Sequence, residues 1–347
     1  MNSDNDMDFL IVGHGLAGVL LADALEQLGA KPLVADSSMP HASTPVAAGV
    51  LNPVIGPRLN APWRAQDCLD SARETYRRLE AGWDVTFFRE FRMLRLFADE
   101  KMAKKWKRRK MEAATAPFMG ETFSVESMPE AGVRAPFGAG EILGAGALDT
   151  QGLVFASRKH LTDEERYLVE SIPHDTLPRD KRIIFCEGFR VRDNPWFGAL
   201  PFAPVRGEII ELRDERAECL NGGTWFIPQG TGEALAGATY DWDDLECGPT
   251  DEGVQKILDG LDYLAEPKPE VTGKRSGVRP ATRDRMPILG THPKNPSLFL
   301  FNGFGSRGGL SIPLCAKLFA KYLLEGHSLP EEINLGRFPE SEDLPAP

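Results

Sequence analysis

Two glycine-rich stretches near opposite ends of the 347-residue chain have the residue types and spacing to hold an anion. The first is GHGLAG, with Gly13, Gly15 and Gly18 in G-x-G-x-x-G spacing around Leu16 and Ala17. The first glycine permits a tight turn and the second lets a diphosphate approach the backbone. The third lets a helix pack closely on a strand. Asp36 follows at about the distance where a carboxylate accepts hydrogen bonds from an adenosine ribose. The second stretch is FNGFGSRGG, with Gly303, Gly305, Ser306, Arg307, Gly308 and Gly309. Between them, Ala47, Ala48 and Gly49 would let a flat ring or a diphosphate lie close to the backbone, and Gly188 ends another apolar run.

The flanking patterns say what must carry these residues. Phe9 to Val12 is an apolar run suited to a strand buried on both faces. Leu16 to Leu28 is Leu/Ala-rich and free of proline, so it propagates as a helix, with its orphan N–H groups at the glycine loop. Lys31 to Ala35 is a second strand ending at Asp36. A strand, turn, helix, strand and acid in this order predict a dinucleotide-binding α/β unit. Near the other end, Leu298 to Phe301 is an apolar strand and a helix is expected from about Ser311, with Pro313 tolerated in its first turn.

Composition narrows the class. Hydrophobic residues are 42% and charged residues 26%, as in a soluble globular protein. The length allows one large or two ordinary domains. A net charge of −11 argues against binding nucleic acid or anionic membrane through the whole surface. Five scattered cysteines form no C-x-x-C pair, which points to a reducing compartment and no structural metal. The polar first seven residues do not suit a secretory signal, and no apolar run is long enough to span a bilayer. A cytoplasmic location is the expectation.

The middle of the chain supplies the rest of the scaffold. Ser37 to Leu59 is too rich in proline, glycine and small residues for a long helix. It is either a plain surface loop or a functional one. Ala65 to Glu80 is an amphipathic helix and Phe87 to Phe97 a strand. Ala98 to Ala114 concentrates Lys101, Lys104, Lys105, Lys107, Arg108, Arg109 and Lys110 around Trp106. It is either a patch for an acidic partner or a solvated helix covering the core with Met102 and Trp106. The acidic whole favours the latter. Gly132 to Gly146 is expected to turn, and Gly152 to Val169 to be helical. Arg182 to Phe185 is a short strand running into Gly188, and Glu208 to Leu212 another strand. Thr224 to Pro228 and Ala234 to Thr239 suit a hairpin with a loop of four or more residues, and Val254 to Leu264 a helix.

Two anion-receptive helix ends suggest a large bipartite cofactor. One would hold a diphosphate and the other a group that becomes negative, as the pyrimidine side of a reduced flavin does. With these residues assembled, the sequence resembles the D-amino-acid-oxidase-like FAD oxidoreductases, in the branch of glycine oxidase and of the FAD domain of the bifunctional tRNA 5-methylaminomethyl-2-thiouridine biosynthesis enzyme. The resemblance runs through GHGLAG, AAGVLNP, GALDT, IIFCEG, PVRGE, WFIP, GVRPATRDRMPILG and FNGFGSRGG.

The resemblance implies a Rossmann-like α/β FAD-binding domain (GR2-type) built from both chain ends and a middle segment, 1-80, 140-200 and 270-347. An α+β substrate domain with a mostly antiparallel sheet would take 81-139 and 201-269. It also implies that the first glycine motif binds the ADP half of FAD and the last binds the isoalloxazine. Arg279 in GVRP falls where the family anchors a substrate carboxylate; the alternative is a structural ion pair. Trp225 in WFIP falls where an aromatic lines the amine site, or else packs in the core. Arg307 would contact flavin or substrate. Gly277 stands where covalent-flavin relatives carry cysteine, so FAD should be non-covalent. His14 would either face the flavin or point out of its turn, the latter being expected, and Arg283, Asp284 and Arg285 are expected to form a local structural network.

The expected activity is FAD-dependent oxidation of the C–N bond of a small amine or amino acid by hydride transfer to flavin N5. The alternatives are action on a modified tRNA side chain, or a non-catalytic dinucleotide-binding subunit. Neither the oligomeric state nor the electron acceptor is legible.

Overall fold

The computed structural model describes residues 8–37 and 39–345; the N-terminal stretch read for a leader lies outside them. In chain order the elements are β1 (Phe9–Val12), α1 (Leu16–Glu26), β2 (Leu33–Ala35), β3 (Val50–Leu51), α2 (Ala65–Trp83), β4 (Phe88–Leu96), α3 (Glu100–Arg109), β5 (Met119–Phe123) and β6 (Ala139–Leu148). Then come α4 (Thr150–Asp163), β7 (Tyr167–Leu168), β8 (Arg182–Phe185), β9 (Val205–Arg213), β10 (Cys219–Asn221), β11 (Trp225–Gly230) and β12 (Glu233–Gly237). The chain closes with α5 (Asp251–Asp259), β13 (Glu270–Arg279), β14 (Ile288–His292), β15 (Asn295–Asn302) and α6 (Gly308–Glu325).

These strands form two sheets. The six-stranded sheet has the order β14-β15-β8-β1-β2-β7, parallel except for the β14 edge. Its strands are apolar because both faces are covered; Phe9, Leu10 and Ile11 are all buried. From β1 the chain crosses through α1 to β2 on one side, while β8 and β15 lie on the other. A crevice at the carboxyl ends of β1 and β8 follows from that reversal of strand order. Among the described residues the second sheet has nine strands, β13-β9-β12-β11-β10-β4-β6-β3 with β5 on β6, whose strands pair antiparallel except β10 with β4. This is an α/β fold with a Rossmann-like half and a mostly antiparallel half. Strands β3, β6 and β13 sit in the antiparallel sheet although they fall in segments expected with the cofactor half.

Several local expectations shift. Gly132 to Gly146 was expected to turn, yet β6 runs through it. Its glycines serve packing: a Cβ at Gly140 would lie 2.1 Å from the Trp106 ring, so bare backbone is what lets α3 sit on the sheet. Trp106 and Met102 are buried there, which makes α3 a core-covering helix. Two of its cations and Lys110 at its C-cap donate to backbone carbonyls: Lys105 to Pro57, Arg109 to Arg58 and Lys110 to Gly120. The β11–β12 hairpin closes through Thr231-Gly232, not four residues, because both take positive φ (55° and 76°) as a two-residue primed turn requires. Helix α4 stops at Asp163, and a left-handed Glu165 redirects the chain into β7, which pairs with β2. Helix α6 starts at Gly308, three residues earlier than expected.

Candidate functional site

The turn after β1 is shaped by what its glycines lack. A Cβ on Gly18 would sit 2.0 Å from the Gly13 carbonyl oxygen, and one on Gly13 would sit 2.6 Å from the Cys186 carbonyl oxygen. Only glycine at 18 lets α1 seat directly on the turn. Gly15, at the N-cap of α1, offers no side-chain cap, and no acid occupies the first turn. The helix end is therefore free to face an anion. The His14 N–H donates to Asp36 Oδ1 at 3.1 Å, and the Leu16 N–H to Thr44 Oγ1 at 3.1 Å. Thr44 is held in turn, its carbonyl accepting from the Thr150 hydroxyl at 2.6 Å.

A matching arrangement stands at the end of β15. Asn302 Nδ2 donates to the Gly188 carbonyl at 2.9 Å, and Asn302 Oδ1 accepts from the Gly303 N–H at 2.8 Å. One side chain thus ties the loop after β8 to the loop after β15. Helix α6 also begins without a side-chain cap or a first-turn acid. Pro313 lies inside α6 and has no N–H to give the Gly309 carbonyl. The buried Tyr76 hydroxyl of α2 donates to that oxygen instead, at 2.6 Å.

The second sheet supplies the opposite wall. Arg279 ends β13, and its guanidinium lies across Gly207 of β9, where a Cβ would come within 2.0 Å of it. Its Nη1 donates to the Thr239 carbonyl at 3.1 Å, and its charge sits 4.6 Å from the centre of the Tyr240 ring. Among the described residues no carboxylate pairs with it, and burial pulls its pKa down. Half-buried Trp225 lies opposite Gly237 on the neighbouring strand. Arg307, on the 3-10 turn before α6, donates through Nη2 to the Arg285 carbonyl at 2.6 Å. Burial lowers its pKa, and the nearby Arg285 charge lowers it further.

One cleft joins these walls, with about 1540 Å³ of empty space including the part open to solvent. Of the residues singled out by sequence, Gly15, Leu16, Ala17, Ala47, Ala48, Gly49, Gly188, Trp225, Arg279, Gly305, Ser306, Arg307, Gly308 and Gly309 line it. Gly13, Gly18 and Gly303 shape the turns behind the lining. Asp36 stands at the end of β2, where its Oδ1 accepts from the His14 N–H of the turn, and it is not among the described residues lining the cleft. Tyr240, Thr44, Asn302, Asn52 and Asn221 line or brace the cleft and were not picked out. Asn302, beside the second glycine motif, was the one with a signal, a polar residue at a strand's carboxyl end. His14 is not among the described residues lining the cleft. Its ring is buried, with Nε2 3.0 Å from Ser157 Oγ and an edge contact to Tyr167 at 5.0 Å, and burial pushes its pKa down to about 4. Asp284 does serve a local network, accepting from Thr282, the Met286 N–H and Arg337.

Two glycine turns and two helix ends without an N-cap side chain on a single cleft fit a dinucleotide with a second, distal ring system. Comparison with known proteins agrees. The family described as FAD dependent oxidoreductase (DAO) matches residues 8–322. The tRNA 5-methylaminomethyl-2-thiouridine biosynthesis bifunctional protein MnmC of Caulobacter vibrioides is 28% identical over 346 residues, covering 93% of this chain but only 56% of that protein. Glycine oxidase of Geobacillus kaustophilus is 29% identical over 35% of this chain and 34% of its own length. Other MnmC relatives are spanned over less than a third of their length. Among solved structures, iminodiacetate oxidase from Chelativorans sp. BNC1 superposes with a TM-score of 0.76 at 21% identity, covering 93% of this chain and 97% of that one. The glycine oxidase structure from Geobacillus kaustophilus gives 0.75 at 19%, covering 93% and 95%. The match along nearly the whole chain, with a cleft built for a dinucleotide, shows that this protein belongs to the DAO family of FAD-dependent oxidoreductases.

Proposed function

We propose that this protein oxidises the C–N bond of an amino acid or related carboxylated amine, with non-covalently held FAD as the electron acceptor. The observation that carries the reading is Arg279, a half-buried arginine lining the cleft whose only described hydrogen bond goes to a carbonyl. Leaving a cation half-buried and without a counter-charge is unfavourable, which supports an anion that arrives with the substrate. A planar fork also suits a carboxylate, which it can grip through two bonds at once.

The remaining roles follow from position. The α1 end and Asp36 would hold the ADP half of FAD, and the Gly303 to Gly309 loop with the α6 end would hold the isoalloxazine. Gly277 supplies no sulfur for a covalent link. FAD held there would supply a two-electron acceptor for the hydride of the substrate α-carbon; with the amine proton released to water, this leaves an imine that water splits into a carbonyl compound and an amine. The chain's part is to orient and shield. Arg279 would fix the carboxylate, Trp225 and Tyr240 would wall the amine, and the α6 end would offer N–H groups to developing negative charge. No Asp, Glu, His or Lys is among the described lining residues, so the amine would have to bind already neutral. In this reading the domain boundary passes where the two sheets meet, with β3, β6 and β13 on the substrate side.

The test is anaerobic reduction of the enzyme-bound flavin, screened over glycine, sarcosine, D-amino acids, proline and iminodiacids. Bleaching by one of these classes supports the proposal. Purified protein that carries no FAD, or a flavin that none of them reduces, would sink it. A tRNA substrate is the second reading, favoured by the MnmC relatives and by exposed Lys101, Lys104, Lys107 and Arg108 on α3. It predicts tRNA binding that weakens steeply with salt. Unchanged binding after reversing those four charges would count against it.

A further inference from the structure

Three polar side chains at one corner of the cleft have no part in the roles assigned above. Asn52 and Asn221 line the cleft, and Arg95 is buried beside Asn221. Cross-strand register builds this corner. Arg95 of β4 pairs with Asn221 of β10, Asn221 with Trp225 of β11, Trp225 with Gly237 of β12, and Gly237 with Ile209 of β9. Residues paired in register share one face of a sheet, so Asn221 stands in the same row as Trp225 and Ile209, which also line the cleft. A Cβ on Gly237 would lie 2.8 Å from Trp225 Cζ2. The indole therefore leans toward Gly237, on the side away from Asn221.

Hydrogen bonding fixes which way both amides face. Asn221 Oδ1 accepts from Arg95 Nη1 at 2.7 Å and from the Gly223 N–H at 3.1 Å, which occupies both of its lone pairs. Asn52 Oδ1 accepts from the Val54 N–H at 2.8 Å. Each amide is left to present its NH2 group. The acceptor described for both is one sulfur, Met93 Sδ, 3.8 Å from Asn52 Nδ2 and 3.9 Å from Asn221 Nδ2. A thioether is a weak acceptor, and each NH2 has a second hydrogen to give. Arg95 adds to this. A guanidinium on the Asn221 oxygen polarises the amide and strengthens its N–H donors. Among the described residues no carboxylate pairs with Arg95, and its buried Nε has no partner. The corner thus carries donors and positive potential that no protein group answers.

We propose that Asn52 and Asn221 form a subsite for an oxygen acceptor, so that the preferred substrate is an amino acid whose side chain ends in a carboxylate or carboxamide. This rests on the amine-oxidation reading and narrows it. The Arg279 guanidinium lies across Gly207 of β9, and β9 is three strands from β10, about 14 Å between backbones. A hydrogen bond of about 3 Å at each end and the reach of Asn221 itself leave a gap that a substrate of glutamate length fills.

Glutamate, glutamine and 2-amino-5-methylhexanoate, in both enantiomers, form the matched set for the test, since they share a length and differ in the end group. In anaerobic flavin reduction by the holoenzyme, the better of glutamate and glutamine should be preferred over the apolar isostere by about tenfold or more. Asn221→Asp keeps the size and an oxygen for Arg95 but removes the donors. It should bring that ratio to about one or below with no loss of thermal stability, and Asn52→Ala should remove part of the ratio. Glutarate, glutaramate and 5-methylhexanoate give a readout without turnover, as shifts in the visible spectrum of the bound flavin, and the same order of affinity is expected. Glutamate ahead of glutamine would support the subsite with a carboxylate in it, and the reverse would support it with a carboxamide. Equal reduction and equal binding across each set would overturn the subsite and leave amine oxidation standing. So would an Asn221→Asp variant that slows all three amino acids by the same factor. If no amine reduces the flavin, yet glutarate or glutaramate outbinds 5-methylhexanoate and loses that lead in Asn221→Asp, the subsite stands and the oxidation reading falls. Should Asn221→Asp fail to hold FAD, an undiminished preference in Asn52→Ala would overturn the proposal.

Discussion

At the scale of single residues, the site is defined by charges that the protein leaves unanswered and by one that it suppresses. Arg279 is the first kind. Truncating it in Arg279→Ala should raise the KM for a carboxylated substrate by about 30-fold or more, the equivalent of about 2 kcal/mol. An unchanged KM in steady-state assays would remove Arg279 from the anchor role. His14 is the second kind. Its buried ring is held neutral with a pKa of about 4, below its ordinary value of 6.5. The unfolded chain therefore binds the extra proton first. The contribution of neutral His14 is fully present above pH 6.5, declines as pH falls, and is gone below about 4. This amounts to about 3 kcal/mol of acid sensitivity. His14→Gln, which cannot titrate, should flatten the fall in melting temperature between pH 6.5 and 4; a slope identical to that of the unaltered protein would show that His14 does not titrate there.

At the scale of elements, the two helices both begin without an N-cap side chain or a first-turn acid, and they differ in how they are held. Helix α1 is seated by an absence, the missing Cβ of Gly18. Helix α6 is seated by a bond, because Pro313 orphans the Gly309 carbonyl and Tyr76 of α2 satisfies it from 233 residues away in sequence. Tyr76→Phe keeps the ring and removes only the hydroxyl. It should cost about 1–3 kcal/mol by leaving a buried carbonyl without a donor, and should weaken FAD retention, since that carbonyl lies in the first turn of α6. Thermal melts with and without added FAD check both parts, and unchanged melts would show that water replaces the hydroxyl. Strand β6 teaches a different lesson. Its glycines resemble turn signals in sequence, but Gly140 is there to admit the Trp106 ring.

At the scale of the whole molecule, the cofactor cleft is a seam between two sheets, with residues from both on its walls. Filling such a seam should stabilise the entire fold. Free FAD at a thousand times its dissociation constant should add about 4 kcal/mol by mass action. The melting temperature should rise with FAD concentration, and a single transition that ignores added FAD would argue that the cleft does not bind it. Among the described residues no helix is long and apolar enough to cross a membrane.

What the sequence determined by itself is what depends on neighbours along the chain. Gly13 to Gly18, the apolar strands before and after it, and Gly303 to Gly309 were legible because turn conformation, backbone clearance and strand burial on both faces each leave a local residue pattern. The basic run from Lys101 to Lys110 was legible as a helix over the core, since Met102 and Trp106 fall four residues apart on its one apolar face. Only the tertiary structure decided who meets in the cleft. Tyr240 over Arg279, Arg307 turned toward Arg285, Tyr76 on Gly309 and His14 against Ser157 join segments far apart in sequence. Their meeting is set by cross-strand register and by how the two sheets pack, and neither leaves a pattern in the order of residues.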